Sequence, residues 1–161
     1  MSIQPTDVSR MLERVLGDEA RLLAELEQLL TREADVVRGD DPNAIENIGA
    51  TRHRCVEALT RLDTERTDAC RMLSFGTGRE GLERLLAWCD PAQDLRARWQ
   101  ANLQAARRCK ELNDRNGAIV TVKLGQVQQL LTTLRGGSTE PVYRRQGARF
   151  EGFGRRELGR A

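Results

Sequence analysis

Four cysteines, Cys55, Cys70, Cys89 and Cys109, and one histidine, His53, are the side chains best suited to nucleophilic, redox or metal chemistry in this 161-residue chain. Their spacing argues against all three. No two cysteines form a Cys-x-x-Cys pair, and a zinc site needs closer ligands than these. Cys55, Cys70 and Cys109 fall at helical intervals among apolar residues and read as small core side chains. His53 lies between Arg52 and Arg54 and reads as a solvated surface residue. With no nucleophile–base pair, an enzymatic activity would have to rest on carboxylates scattered along solvated faces. No catalytic residue, metal site or cofactor is expected.

Two further stretches have the form of binding motifs. Gly76-Thr77-Gly78-Arg79-Glu80-Gly81 matches G-x-G-x-x-G, which cradles a phosphate when it follows a strand and opens a helix against a parallel sheet. Here it follows a long helical pattern, so a glycine-rich loop leading into a short helix, roughly 79–87, is expected instead. The second is Asn113-Asp114-Arg115-Asn116-Gly117, whose Asn-Gly dipeptide ordinarily marks a tight turn. The apolar phase decides what it does here. From Asp90-Pro91, Leu95, Trp99, Leu103, Ala106, Cys109, Asn113, Asn116, Val120, Leu124, Val127, Leu131 and Leu134 follow at steps of three or four without a break. One helix over 91–135, about 65 Å long, therefore passes through Asn116-Gly117. A mid-helix glycine costs about 1 kcal/mol against alanine, which packing along so long an element offsets.

Continuity puts Asn113 and Asn116 on the apolar stripe, where asparagine needs partners and fixes register. Gly117 would then admit a close neighbour. A locally weak, partly solvated helix is the alternative.

Two more long helices are legible upstream. Val15-Leu16, Leu22-Leu23, Leu29-Leu30 and Val36-Val37 recur seven apart, with Val8, Leu12 and Leu26 between them, so a helix over about 6–38 presents a stripe wide enough for two neighbours. Thr6 or Asp7 is the expected cap, and Gly39 with Asp40-Asp41-Pro42 the stop. From Asp41, Ile45, Ile48, Cys55, Leu59, Leu62, Ala69 and Leu73 mark a second helix to about 73. Arg52 and Arg66 also sit on that stripe, as stems whose heads reach water. The short connection makes the two helices antiparallel. The fold expected is all-α: an elongated antiparallel bundle of three long helices and one short connecting helix over 1–135, then a flexible basic tail over 136–161.

The tail, 135–161, holds seven arginines against three glutamates, while the rest of the chain carries 19 basic and 21 acidic residues. Tyr143, Phe150 and Phe153 are candidate anchors there. Nucleic-acid binding by this tail is disfavoured, because 24 of the 26 basic residues in the whole chain are arginine and the tail is not distinctive in using it. No apolar run is long enough to span a membrane, and the first residues lack the layout of a signal peptide, so a cytoplasmic protein without membrane insertion is expected.

The segment CKELNDRNGAIVTVKLGQVQQLLTTLRGG, Cys109 to Gly137, followed by VYRRQG, resembles the FlgN family of flagellar export chaperones. The likeness extends to the leucine-paired first helix, the second long helix and the tryptophan-bearing segment before the last helix. The resemblance implies a non-enzymatic chaperone that holds the hook-filament junction proteins (hook-associated proteins) until their export through the flagellar type III apparatus. It also implies that the C-terminal helix receives the cargo's terminal helix in an apolar groove, here at Asn116, Gly117, Ile119, Val120, Val127, Leu130, Leu131 and Leu134. Tyr143 corresponds to the tyrosine implicated in docking on the export gate. Arg144 and Arg145 depart from the small residues the family commonly has after it. The physical demands agree: an amphipathic helix laid against an apolar surface is protected yet releasable. A helical adaptor with another partner shares every feature except the Asn-Gly and tyrosine motifs. The wide stripes can be satisfied within one bundle or by a homodimer.

Overall fold

Proline opens each of the first two helices because its fixed φ suits the first helical turn and its missing N–H is not needed there. In the computed structural model, which describes residues 2–134, α1 spans Pro5–Arg38, α2 Pro42–Met72, α3 Gly78–Cys89 and α4 Asp94–Leu134. The start of α1 differs slightly from the sequence reading. Gln4, not Thr6 or Asp7, is the N-cap, and its carbonyl accepts from the N–H groups of Asp7 and Val8. Gly39 closes α1 by donating to the Asp35 and Val36 carbonyls, and Asp40, at φ 58°, turns the chain. The Asp41 carboxylate then accepts from the N–H groups of Asn43 and Ala44, the expected cap of α2.

The end of α2 explains the glycine motif. Ser74 adopts φ 61°, its N–H donating to Arg71 and that of Phe75 to Cys70, a Schellman ending. The chain turns through Gly76 at φ 94° and Gly78 at φ 69° into α3. A Cβ on Gly81 would stand 2.7 Å from the Gly76 carbonyl carbon and oxygen. The glycines thus let the loop lie across the first turn of α3, and the motif follows a helix.

Asp90-Pro91 does not start the last helix as its sequence suggests. Asp90 caps the end of α3, Gln93 takes φ 62°, and α4 begins at Asp94. The Asp90 carboxylate reaches forward to accept from the Arg96 N–H at 3.0 Å. Residues 91–93 are needed to reverse the chain. Once begun, α4 runs unbroken through Asn116-Gly117 to Leu134, about 60 Å.

A constant register organises the helices. Asn102, Cys109, Asn116 and Lys123 of α4 donate to the carbonyls of Leu16, Leu23, Leu30 and Val37 of α1, every pair 86 residues apart. Helix α4 is therefore parallel to α1 at a seven-residue repeat, the geometry of a coiled-coil seam. The order of the ion pairs Glu19–Arg66 and Glu33–Arg52 shows α2 antiparallel to α1. Helix α1 lies between the other two, whose Cα atoms do not come within 8 Å of each other.

The core has two parts. At the end closed by α3, Leu12, Leu16, Cys70, Leu82, Leu85, Leu86 and Trp99 pack together. Further along, Leu23, Leu26 and Leu30 meet Cys55 and Leu59 of α2 and Ala106 and Cys109 of α4. All four cysteines are buried, Cys89 as well as the three read from the sequence.

Candidate functional site

Two polar layers cross the bundle fourteen residues apart. In the first, the buried Glu19 carboxylate of α1 accepts from Arg66 of α2 at 2.8 and 3.0 Å and from the Asn102 amide of α4 at 2.9 Å. In the second, Glu33 accepts from Arg52 at 3.2 Å and from Asn116 at 3.0 Å. Each layer ties α2 and α4 to one carboxylate of α1. The Arg66 side chain is only 8% exposed, so its head turns inward to a carboxylate, contrary to the expectation that it reaches water. A buried pair of this kind adds little net stability over apolar packing, because the cost of desolvating both charges offsets their attraction. The sequence showed Arg52, Arg66 and Asn116 on stripes but missed Glu19, Glu33 and Asn102; their shared fourteen-residue spacing was the available signal.

Asn116 thus belongs to the α1–α4 seam, 4% exposed, with its amide nitrogen on the Leu30 carbonyl and Glu33. Its Oδ1 has no hydrogen-bond partner among the described residues. Gly117 faces outward, and nothing lies within 4 Å of where its Cβ would be. Among the described residues nothing makes the close approach expected there, and the helix tolerates the glycine.

Beyond Gly117 the character of α4 changes. From Ala118 to Leu134 the only charged residue is Lys123. Its ammonium turns back to the Val37 carbonyl at the end of α1 and to Asp40, where a cation is favoured by the helix dipole. The register places Leu124 beside Arg38, the last residue of α1. Helix α4 then continues for ten residues, about 15 Å, with no α1 beside it. Ile119 is half-buried, whereas Val120 is 41% exposed, Val127 53%, Leu130 59%, Leu131 45% and Leu134 74%.

These residues lie on one face. At helical spacing, Val120, Val127, Leu130, Leu131 and Leu134 follow the line of Asn116 and Lys123, so the uncovered strip prolongs the surface α4 presents to α1. Contiguous apolar surface of this kind marks an interaction site. What was expected as a groove is, among the described residues, a single wall. Tyr143 and the rest of the expected tail lie outside the described residues.

The other candidate chemistry is structural. The Cys55 thiol donates to the Leu22 carbonyl and the Cys109 thiol to that of Leu23. Burial pushes the Cys109 thiol up to about 11, with Glu27 adding to the effect, and burial followed by Asp90 does the same for Cys89. Such thiols are poor nucleophiles. His53 is exposed, its Nε2 3.3 Å from Glu57. Among the described residues no three His, Cys, Asp or Glu side chains assemble as a metal site, and no helix is long and apolar enough to cross a membrane.

The profile of the family described as FlgN protein matches residues 9–149, spanning all of α2, α3 and α4 and nearly all of α1. The chain belongs to the FlgN family. FlgN membership places it among flagellar export chaperones, a generally non-enzymatic group. Searches of curated proteins and of solved structures gave no match.

Proposed function

We propose that this FlgN-family chain is a cytoplasmic chaperone for hook-filament junction proteins, receiving the amphipathic terminal helix of its cargo on the uncovered face of α4. The observation that carries the proposal is the strip Val127, Leu130, Leu131 and Leu134, apolar and exposed beyond the end of α1. Covering it with a cargo helix shields apolar surface on both partners and prevents premature assembly of the cargo. The bond is reversible because the contact is short and lies on one wall. Tyr143, in the segment after α4, is the residue proposed to dock on the export gate, and the intervening Gly136-Gly137 separates the two tasks along the chain.

Titration of the full chain and of a truncation ending at Gly136 with the C-terminal peptide of a junction protein, and separately with the cytoplasmic domain of the export gate, tests this division. Both proteins should bind the peptide, and only the full chain the gate. Absence of peptide binding to the full chain refutes the chaperone reading, and equal gate binding by the truncation refutes the role of Tyr143.

A further inference from the structure

The strip on α4 is not an arbitrary apolar surface, because the same face of the same helix has already received a partner over four successive heptads. Asn102, Cys109, Asn116 and Lys123 each meet a carbonyl of α1, and the next position in that series is Leu130. Its counterpart on α1 does not exist, since α1 ends at Arg38 and Gly39–Asp41 lead into α2. The seam therefore continues on one side and is vacated on the other. Resting on the chaperone reading above, we propose that the partner helix takes the place of the missing continuation of α1: it docks coaxially with α1 and runs parallel to α4. Its N-terminus lies at the Gly39–Asp41 turn, and about three turns with an uncharged apolar face lie over Val127, Leu130, Leu131 and Leu134.

Continuity of the seam sets the position. A helix in line with α1 keeps the seven-residue register that α4 already satisfies, whereas one laid on another face would leave Leu130, Leu131 and Leu134 uncovered.

Charge sets the chemistry and the direction. Residues 124–134 carry no charge, and Lys123 is committed to Val37 and Asp40. A partner with charged groups facing the strip would lose their hydration and find no counter-ion. At the turn the balance is acidic. Over residues 34–47, Asp35, Asp40, Asp41 and Glu46 face Arg38, and Lys123 reaches in from α4, an excess of two acids. The turn joins the negative end of α1, already met by the Lys123 ammonium, to the positive end of α2, capped by the Asp41 carboxylate, so the helix dipoles offset one another there and the acidic excess sets the sign. An incoming helix N-terminus brings unpaired N–H groups and a partial positive charge to this acidic excess, whereas a C-terminus would bring a partial negative charge to it.

The test is photocrosslinking with the junction-protein C-terminal peptide, carrying a benzophenone at either the N-terminal or the C-terminal end of its helix, followed by mapping of the crosslinked residues by mass spectrometry. The N-terminal label should mark residues 39–43 and Lys123 or Leu124, and the C-terminal label the end of α4 near Leu134. The peptide affinity should change by less than about threefold between about 0.05 and 0.5 M salt, because no ion pair spans the strip. Reversed label positions overturn the direction. Labels confined to the outer faces of α2 or α4 overturn the seat. A tenfold salt dependence overturns the uncharged face. Each of these leaves the chaperone reading standing as long as Leu131→Asp/Leu134→Asp removes binding. Failure of the wild-type chain to bind the peptide removes both. Sedimentation showing a dimer that covers the strip and excludes the peptide would assign the seat to a second copy and overturn the proposal.

Discussion

Replacing Glu19 with leucine isolates the polar layer that joins three helices. Its carboxylate is the acceptor for both Arg66, at 2.8 and 3.0 Å, and Asn102, at 2.9 Å. Glu19→Leu leaves the guanidinium buried with Asp63, 2.7 Å away and on the more exposed side, as its one remaining carboxylate. Asn102 keeps the Leu16 carbonyl at 3.0 Å. Removing one member of a buried pair costs about 3–5 kcal/mol, and the surviving Asp63 contact places this case near the lower end, about 3 kcal/mol. Arg66→Met strands Glu19 instead, and a similar loss of about 3 kcal/mol is expected. Glu19→Leu/Arg66→Met removes both charges and restores apolar packing, so it should lie within about 1 kcal/mol of the wild type. The cycle then has a coupling of about 6 kcal/mol, the two single losses together less the small net change of the double variant. Urea unfolding followed by helical circular dichroism reads this directly: with a slope of about 2 kcal/mol per M, either single variant unfolds about 1.5 M earlier. A single variant within about 1 kcal/mol of wild type, or a double variant as unstable as the sum of the singles, would refute the claim that charge burial governs this layer.

Gly117→Ala should stabilise the chain by about 0.5–1 kcal/mol in the same assay, since the position is helical and open. Gly81→Ala should destabilise it by more than about 1 kcal/mol, because the new methyl meets the Gly76 carbonyl at 2.7 Å and backbone must move. The thiols of Cys89 and Cys109 ionise near 11 in the fold against an ordinary value of 9.0, so above 9 the unfolded chain has lost protons that the folded chain keeps. Their contribution is complete below pH 9 and disappears as pH rises through 11, which a pH series of unfolding midpoints should register as falling stability. At pH 8 neither thiol should react with a disulfide reagent until the chain is unfolded.

Much of this architecture is local enough to read from sequence. The seven-residue pairs of α1, the Gly39 stop and the Asp41-Pro42 start each depend on neighbours a few residues away, and all three hold. Phase alone also carried α4 through Asn116-Gly117. Asp90-Pro91 misled because a cap-and-proline signal does not say whether the aspartate serves the next N–H groups or reaches six residues ahead to Arg96. The polar layers were hidden for a different reason. Arg66, Glu19 and Asn102 become partners only when the alignment of three helices is fixed, and no single helix contains that information. The exposure of the α4 strip is likewise a matter of alignment: Leu130 and Leu131 look like core by spacing, and are uncovered because α1 stops opposite Leu124.

Isothermal titration of the junction-protein C-terminal peptide against the wild type and Leu131→Asp/Leu134→Asp tests the central claim most directly. Leu131 is 45% and Leu134 74% exposed in the free chain, so covering them recovers part of a full leucine burial, together about 2–3 kcal/mol. The account predicts tight binding to the wild type and at least a 30-fold to 100-fold weaker complex for the variant, about the factor those energies convert to. The unfolding free energy should stay within about 0.5 kcal/mol of the wild type, as both sites are exposed. Undiminished binding to a variant that remains folded would contradict the claim that the uncovered end of α4 is where this protein takes its partner.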